Sequence, residues 1–137
     1  MLINPVIAEY LFTVDTSKKT DEIIQCKSEG AKNCKAVNLN PEHLSSSSSR
    51  FLKLFPGSDV ELTVTRGPAS QDTPTLSYQF SLTDGGQGSL TYRQSTLALY
   101  GSFKPISGSV HYTVESCGAG CNVIYERDSN FFDQFQD

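Results

Sequence analysis

The feature that most constrains this chain is a period of two in its hydrophobic pattern, which runs through most of residues 58–128. Successive side chains of a β-strand point to opposite faces, so a period of two indicates strands with one buried face. Gly, Pro, Asp or Ser closes each run. The clearest run is TLSYQFSLTDGG, in which every second residue is apolar, namely Leu76, Tyr78, Phe80 and Leu82.

The predicted strands follow one another at short spacing, at about 59–66, 75–83, 88–94, 96–103, 108–115 and 121–127. Parallel neighbours would need a crossover of about a dozen residues or more, so these strands must be antiparallel. The predicted fold class is all-β: an antiparallel meander of about seven to nine strands that forms a curled sheet, a barrel or a sandwich. Gly101 interrupts the apolar positions, which predicts a bulge or a bend there.

The remainder of the chain carries weaker signals. Residues 5–15 favour a strand, and residues 22–39 favour a hairpin because two apolar ends flank a polar centre. The serine-rich stretch 40–50 predicts a mobile loop. The phenylalanines of 131–135 are spaced for a short docked helix or a tail. A chain of 137 residues can bury a core without a metal or cofactor, so residues 1–137 are predicted to form a single β-rich domain.

Charge and hydropathy exclude two classes of partner. The net charge is −4 and the 11 Lys and Arg residues are scattered, whereas nucleic-acid binding needs a concentrated basic surface. No apolar stretch reaches the roughly 18 residues of a membrane span. The amino-terminal segment contains Glu9 and Asp15 and lacks a basic n-region, which predicts mature sequence after removal of a leader.

The four cysteines form two local groups, Cys26 with Cys34 and Cys117 with Cys121. An even count in local groups favours two disulfides in a secreted protein. Free buried thiols and a zinc site are the alternatives, although the spacing is not a familiar one for zinc ligands. A bond across the short loop between Cys117 and Cys121 would also fix the register of the two strands it joins.

No catalytic residue, metal ligand or cofactor site is predicted. His43 precedes the serine run, but a triad needs a rigidly held base with an orienting group. His111 is expected on the side of its strand opposite Val110 and Tyr112. The standard hydrolase, zinc-protease and nucleotide motifs do not occur, so the chain is predicted not to be an enzyme. The carboxylates near the second cysteine pair are expected on one solvated strand face with Arg93 and Arg127: Glu115, Glu126 and Asp128.

Aromatic residues make up 10% of the chain, and most of them are expected to lie in the hydrophobic core. If the sheet curls far enough, the same inward face could instead line an apolar cavity, as in small barrels that hold a ligand. The residues predicted to line it are Tyr78, Phe80, Tyr92, Leu99, Phe103 and Tyr112.

The segment from Phe55 to Asp128 resembles the propeptide domain of secreted metzincin-type zinc metalloproteinases. The pieces that carry the resemblance are FPGSDVELTV, SYQFSLTDGGQGSLTYR, LALYGSF and HYTVESCGAGCNVIYERD. The resemblance implies a β-rich module that assists folding of a protease and keeps it latent, sometimes through a cysteine offered to the catalytic zinc. The chain contains no HExxHxxGxxH motif. If Cys117 is bonded to Cys121, neither can serve as a zinc-blocking thiolate.

The predicted function is that of a secreted, non-enzymatic binding module, propeptide-like, which regulates a metalloproteinase. One alternative is a carrier of an apolar small molecule inside a β-barrel. Another is a structural domain that self-associates into a homo-oligomer through an edge strand.

Overall fold

The computed structural model describes residues 9–15, 32–40, 44, 51–68, 70, 72–107, 110–118 and 120–128, and these residues contain nine strands and no helix. The strands are β1 (Phe12–Val14), β2 (Lys32–Leu39), β3 (Leu52–Lys53), β4 (Glu61–Arg66), β5 (Thr75–Leu82), β6 (Gln87–Arg93), β7 (Ala98–Lys104), β8 (Val110–Gly118) and β9 (Cys121–Asp128). The all-β prediction is confirmed.

All nine strands belong to one sheet of order β1-β2-β9-β8-β7-β6-β5-β4-β3. From β3 to β9 each strand pairs with the next in the chain, and every pair is antiparallel, so the predicted meander is confirmed. β2 then extends the sheet beyond β9, and β1 pairs with β2.

The sheet curls into a half-barrel, and the segments at its two edges meet. The N–H groups of Leu11 and Phe12 donate to the carbonyls of Lys53 and Leu54, at 2.8 and 3.0 Å, and Lys53 N–H donates to the Glu9 carbonyl at 2.9 Å. Tyr10 and Lys53 form a parallel bridge. These bonds satisfy backbone groups that an open sheet would leave exposed at its edges.

The inward side chains fill the interior. The pattern is clearest in β5, where exposed and buried residues alternate along all eight positions. Phe103 lies at the centre of the core, with its ring centroid 5.5 Å from that of Phe80 and 6.2 Å from that of Phe12. Its ring lies against the backbone of Gly88, where a Cβ atom would clash with it. The small residue on β6 therefore makes room for the large one on β7.

The bulge predicted at Gly101 is absent, because Leu90, Gly101 and Val114 pair across three strands without a register shift. A Cβ at this position would collide with the backbone of Ser89, so glycine allows β6 and β7 to approach closely. β7 pairs with β8 from Gly101 onward.

Buried Asn122 joins β9 to β7 where β7 and β8 no longer pair. Its side-chain oxygen accepts from Leu99 N–H at 2.9 Å, and its side-chain nitrogen donates to the Leu97 carbonyl at 2.9 Å. The amide thus supplies the two bonds that a neighbouring strand would otherwise make.

Several predictions fall outside the described residues. These are the first part of the 22–39 hairpin, most of the serine-rich loop and the helix or tail at 131–135. The strand predicted within residues 5–15 is present as β1. No helix with the length and apolar character of a membrane span occurs in the part of the chain that is described.

Candidate functional site

A concave site lies at one end of the curled sheet, where the turns before β4 and after β5 meet the segment between β7 and β8. We call it the mouth pocket. Its volume is about 330 Å³, and it is lined by Asp59, Val60, Glu61, Leu82, Thr83, Asp84, Pro105, Ser107, Val110 and Tyr112.

Asp84 holds two walls of the mouth pocket together. One carboxylate oxygen accepts from Ser107 N–H at 2.9 Å and from the Ser107 hydroxyl at 2.7 Å. The other accepts from Gly86 N–H at 2.8 Å, which closes the turn between β5 and β6. These donors lower the pKa of the Asp84 carboxyl to about 2, with Ser107 N–H the largest cause. Asp84 is therefore ionised at neutral pH.

Gly86 permits this arrangement. A Cβ atom there would collide with the Lys104 carbonyl and the Pro105 backbone. The turn after β5 can therefore lie directly against the end of β7, within reach of Ser107.

Tyr112 forms part of the floor of the pocket. Its ring packs edge-on against Phe55, with centroids 6.0 Å apart. Burial is the main cause that raises the pKa of the Tyr112 phenol, followed by the nearby charges of Glu126 and Asp59. The phenol is therefore neutral and able to donate a hydrogen bond.

The pocket combines acidic and apolar walls. Three of its lining residues are carboxylates, and none of its described lining residues is basic. The ammonium of Lys35 lies 5.3 Å from the centroid of the Phe55 ring, which packs against Tyr112. Such a site favours a ligand with a positive charge on an apolar stem.

Ser107 donates its hydroxyl proton to the Asp84 carboxylate, whose lowered pKa makes it a weak proton acceptor. His111 lies on β8 between two pocket residues, but it is not among the lining residues, which agrees with the side of the strand predicted for it. Among the described residues no group of three or more His, Cys, Asp and Glu side chains is placed to hold a metal ion.

Of the six residues predicted to line a ligand cavity, Tyr112 lines the mouth pocket. Tyr78, Phe80, Leu99 and Phe103 are buried members of the core, and Tyr92 packs against it. Their inner position agrees with the alternation of the sequence, and their role in lining a ligand cavity stays a prediction.

The structure places the disulfide Cys117–Cys121 at the opposite end of the sheet, with Cα atoms 5.0 Å apart. This prediction is confirmed. Cys34 packs against a second buried cluster on the outer side of β9, formed by Cys121, Val123 and Tyr125. The predicted partner Cys26 lies outside the described residues, so the second disulfide stays a prediction.

The three carboxylates near this pair do not share one face as predicted. Glu115 pairs with Val123 on the outer side and accepts a hydrogen bond from the Tyr125 hydroxyl at 3.2 Å. Glu126 pairs with Tyr112 on the inner side and accepts from the Asn33 amide. The side chain of Asp128 and all of His43 lie outside the described part of the structure.

The three pocket carboxylates were not among the predicted site residues. An Asp at the start of a glycine turn is a recognisable local signal, because its carboxylate accepts from the N–H two residues later. No local signal shows that the same carboxylate reaches Ser107.

Comparisons of the chain with protein-family models, with curated proteins and with solved structures returned no match.

Proposed function

We propose that this chain is a secreted, non-enzymatic binding module that receives a cationic side chain of a protein partner in the mouth pocket. The observation that supports this most is the combination in one pocket of three carboxylates and four apolar residues. An Arg or Lys side chain matches it, because its apolar stem would lie against the apolar wall and its charge would meet the carboxylates. The apolar residues are Val60, Leu82, Pro105 and Val110.

The rigidity of the pocket also favours binding. Asp84 fixes the segment that contains Ser107, so less conformational freedom would be lost when a partner binds. Secretion is part of the proposal, since the Cys117–Cys121 disulfide would persist in an oxidising compartment.

The specific partner class we propose is a metalloproteinase, on the resemblance of residues 55–128 to a propeptide. Regulation would then act through surface contacts, because Cys117 and Cys121 are bonded to each other and neither offers a thiolate to zinc. The mouth pocket would supply the acidic contact.

An NMR titration with acetyl-arginine-amide tests the pocket directly. We expect shifts at Val110 and Tyr112, and at least a tenfold weaker response in the Asp59→Asn/Glu61→Gln variant, as charge-assisted contacts of about 1.5–3 kcal/mol are lost. Asp72→Asn, an exposed change in the link between β4 and β5, is the control for lost negative charge. Equal shifts in all three proteins would remove the pocket from the proposal.

The protease hypothesis needs its own assay. The purified chain should slow cleavage by a metzincin-type metalloproteinase, and the Asp59→Asn/Glu61→Gln variant should slow it less. If arginine binds but the protease is unaffected across a panel of metzincins, the partner class is wrong while the binding site stands.

A small amphiphilic molecule is the second candidate ligand, because the same pocket has apolar walls. Native mass spectrometry of the purified chain would reveal a retained molecule. Self-association through an edge strand has less support, since the segments at the two sheet edges hydrogen-bond to each other.

A further inference from the structure

The outer side of β4 to β7 is a broad polar surface separate from the mouth pocket. Arg66 lies opposite Gln79, Gln79 opposite Ser89, and Ser89 opposite Ser102, so these side chains form one row across four strands. Two shallow depressions of about 150 and 270 Å³ adjoin this row, and Gln79 lines both. We call this surface the Gln79 face.

A β-bulge brings Arg66 to this face. Val64 pairs with Phe80, whereas Arg66 pairs with Gln79, so the register shifts by one residue between them. Strict alternation would have placed Arg66 on the inner side with Leu62 and Val64. Bulges commonly redirect a side chain in this way near binding sites.

The Gln79 face is free of carboxylates on three of its four strands, and Glu61 of β4 is the acidic residue at its edge. β5, β6 and β7 contain no Asp or Glu, although the chain carries 15 acidic residues. Lys104 lines one depression and Arg66 the other. In the described part of the chain, neither cation forms an ion pair with a carboxylate.

The polar groups between the two cations are open to a ligand. Within the described residues, the Gln79 amide and the hydroxyls of Ser89 and Ser102 form no side-chain hydrogen bond. Together they offer both donors and acceptors. In the neighbouring row Tyr100 is 49% exposed, so part of its ring is open to an apolar surface.

We infer that the Gln79 face binds an anionic polysaccharide. Amides and hydroxyls match sugar hydroxyls, an exposed tyrosine ring matches the C–H face of a sugar ring, and the two cations match sulfate or carboxylate groups. With strands about 4.8 Å apart, Arg66 and Lys104 lie about three strand spacings apart, so the ligand is an extended chain rather than a single anion. Nucleic acid is disfavoured because three cations on this side of β4 to β7, Arg66, Arg93 and Lys104, neutralise too few phosphates.

A sulfated heparin oligosaccharide is the probe, used with the intact chain in isothermal titration calorimetry. We expect binding that weakens as salt is raised and that is lost with the desulfated oligosaccharide. Arg66→Gln/Lys104→Gln should weaken binding at least tenfold, and Gln79→Ala by about threefold to tenfold. All three substituted residues are exposed, so both variants should fold, and circular dichroism checks this. The salt dependence is measured on the unaltered chain.

The matched control is Lys32→Gln, which removes one positive charge from exposed Lys32 on β2, away from β4 to β7 in the sheet. It should change binding less than twofold. The inference is overturned if the sulfated oligosaccharide does not bind, if the desulfated one binds equally well, or if Lys32→Gln has as large an effect as the double variant. It is also overturned if a single-stranded oligonucleotide of equal charge binds as tightly.

The pocket variant Asp59→Asn/Glu61→Gln should leave glycan binding intact, so this result is separable from the proposed function.

Discussion

At the mouth end of the sheet, the segment between β7 and β8 is held by the carboxylate of Asp84, an exposed group that accepts three hydrogen bonds. At the opposite end, the Cys117–Cys121 disulfide joins β8 to β9, and buried Asn122 joins β9 to β7. One end is therefore fixed by an ionised surface group, and the other by a covalent bond and a buried amide.

This difference suggests a division of roles between the two ends. Exposed hydrogen bonds contribute little to global stability and open at low free-energy cost, whereas buried contacts resist opening. The end that carries the candidate site is thus the end whose hydrogen bonds depend on the ionisation of one carboxylate. Each of the following substitutions probes one side of that contrast.

The largest effect is expected at Asn122. Asn122→Ala would leave the buried Leu99 N–H without a partner and remove the donor to the carbonyl of exposed Leu97, so the free energy of unfolding should fall by about 1–3 kcal/mol in urea denaturation. Asn38→Ala, at an exposed position on β2, should cost less than about 0.5 kcal/mol. Equal losses would show that the amide does not hold the two strands together.

Removal of the disulfide should lower the free energy of unfolding by as much as the Asn122 substitution does, or by less. Cys117→Ser/Cys121→Ser should lower the free energy of unfolding by about 2 kcal/mol, because the bond closes a short loop. Arginine binding at the mouth pocket should persist. If the double variant loses that binding while still folded, the two ends are coupled and the contrast between them is wrong.

At the mouth end, stability is expected to fall at acidic pH, because the hydrogen bonds there need an ionised Asp84. The folded-state pKa of Asp84, about 2, lies below its ordinary value of 3.8, so its contribution to stability is present above about pH 4 and is lost as the pH falls toward 2. Asp84→Asn should abolish this dependence. The Asp84 carboxyl carbon, followed by NMR, should titrate near 2 in the unaltered chain.

Ser107→Ala provides the graded comparison, because it removes the hydroxyl donor and keeps the backbone donor. In this variant the pKa of the Asp84 carboxyl should move part of the way from about 2 toward its ordinary value of 3.8. An unchanged pKa would mean that the hydroxyl does not stabilise the carboxylate.

The sequence predicts the meander well because its signals are local. Alternation in TLSYQFSL locates β5 to within one residue of its observed end, and short polar links dictate antiparallel neighbours. The pairing of β2 with β9 could not be predicted, since it joins segments about 90 residues apart and depends on register rather than on any local pattern.

The candidate site was less predictable for the same reason. The alternation shows that Phe80 and Phe103 face inward, but whether an inward face encloses a cavity depends on how tightly the sheet curls. Here the centroids of the two rings lie 5.5 Å apart within the buried core. Likewise, the turn at Asp84 can be predicted from the sequence. The hydrogen bonds from Ser107 to the Asp84 carboxylate cannot, because they depend on Gly86 lying against the backbone at the end of β7.

The smallest effect is expected at Tyr112, under alkaline conditions. The folded-state pKa of its phenol is raised above 10.0, mainly by burial, so the stability that Tyr112 contributes is present below about pH 10 and is lost as the pH rises above it. Tyr112→Phe keeps the edge-on ring contact with Phe55 and should change stability at neutral pH by less than about 0.5 kcal/mol. As the pH rises above about 10, the free energy of unfolding of Tyr112→Phe should therefore fall less steeply than that of the unaltered chain. Tyr112→Leu removes the ring contact, worth about 0.5–1.5 kcal/mol, and should lower stability at every pH. Identical alkaline profiles for the unaltered chain and Tyr112→Phe would show that burial at the mouth does not hold the phenol neutral.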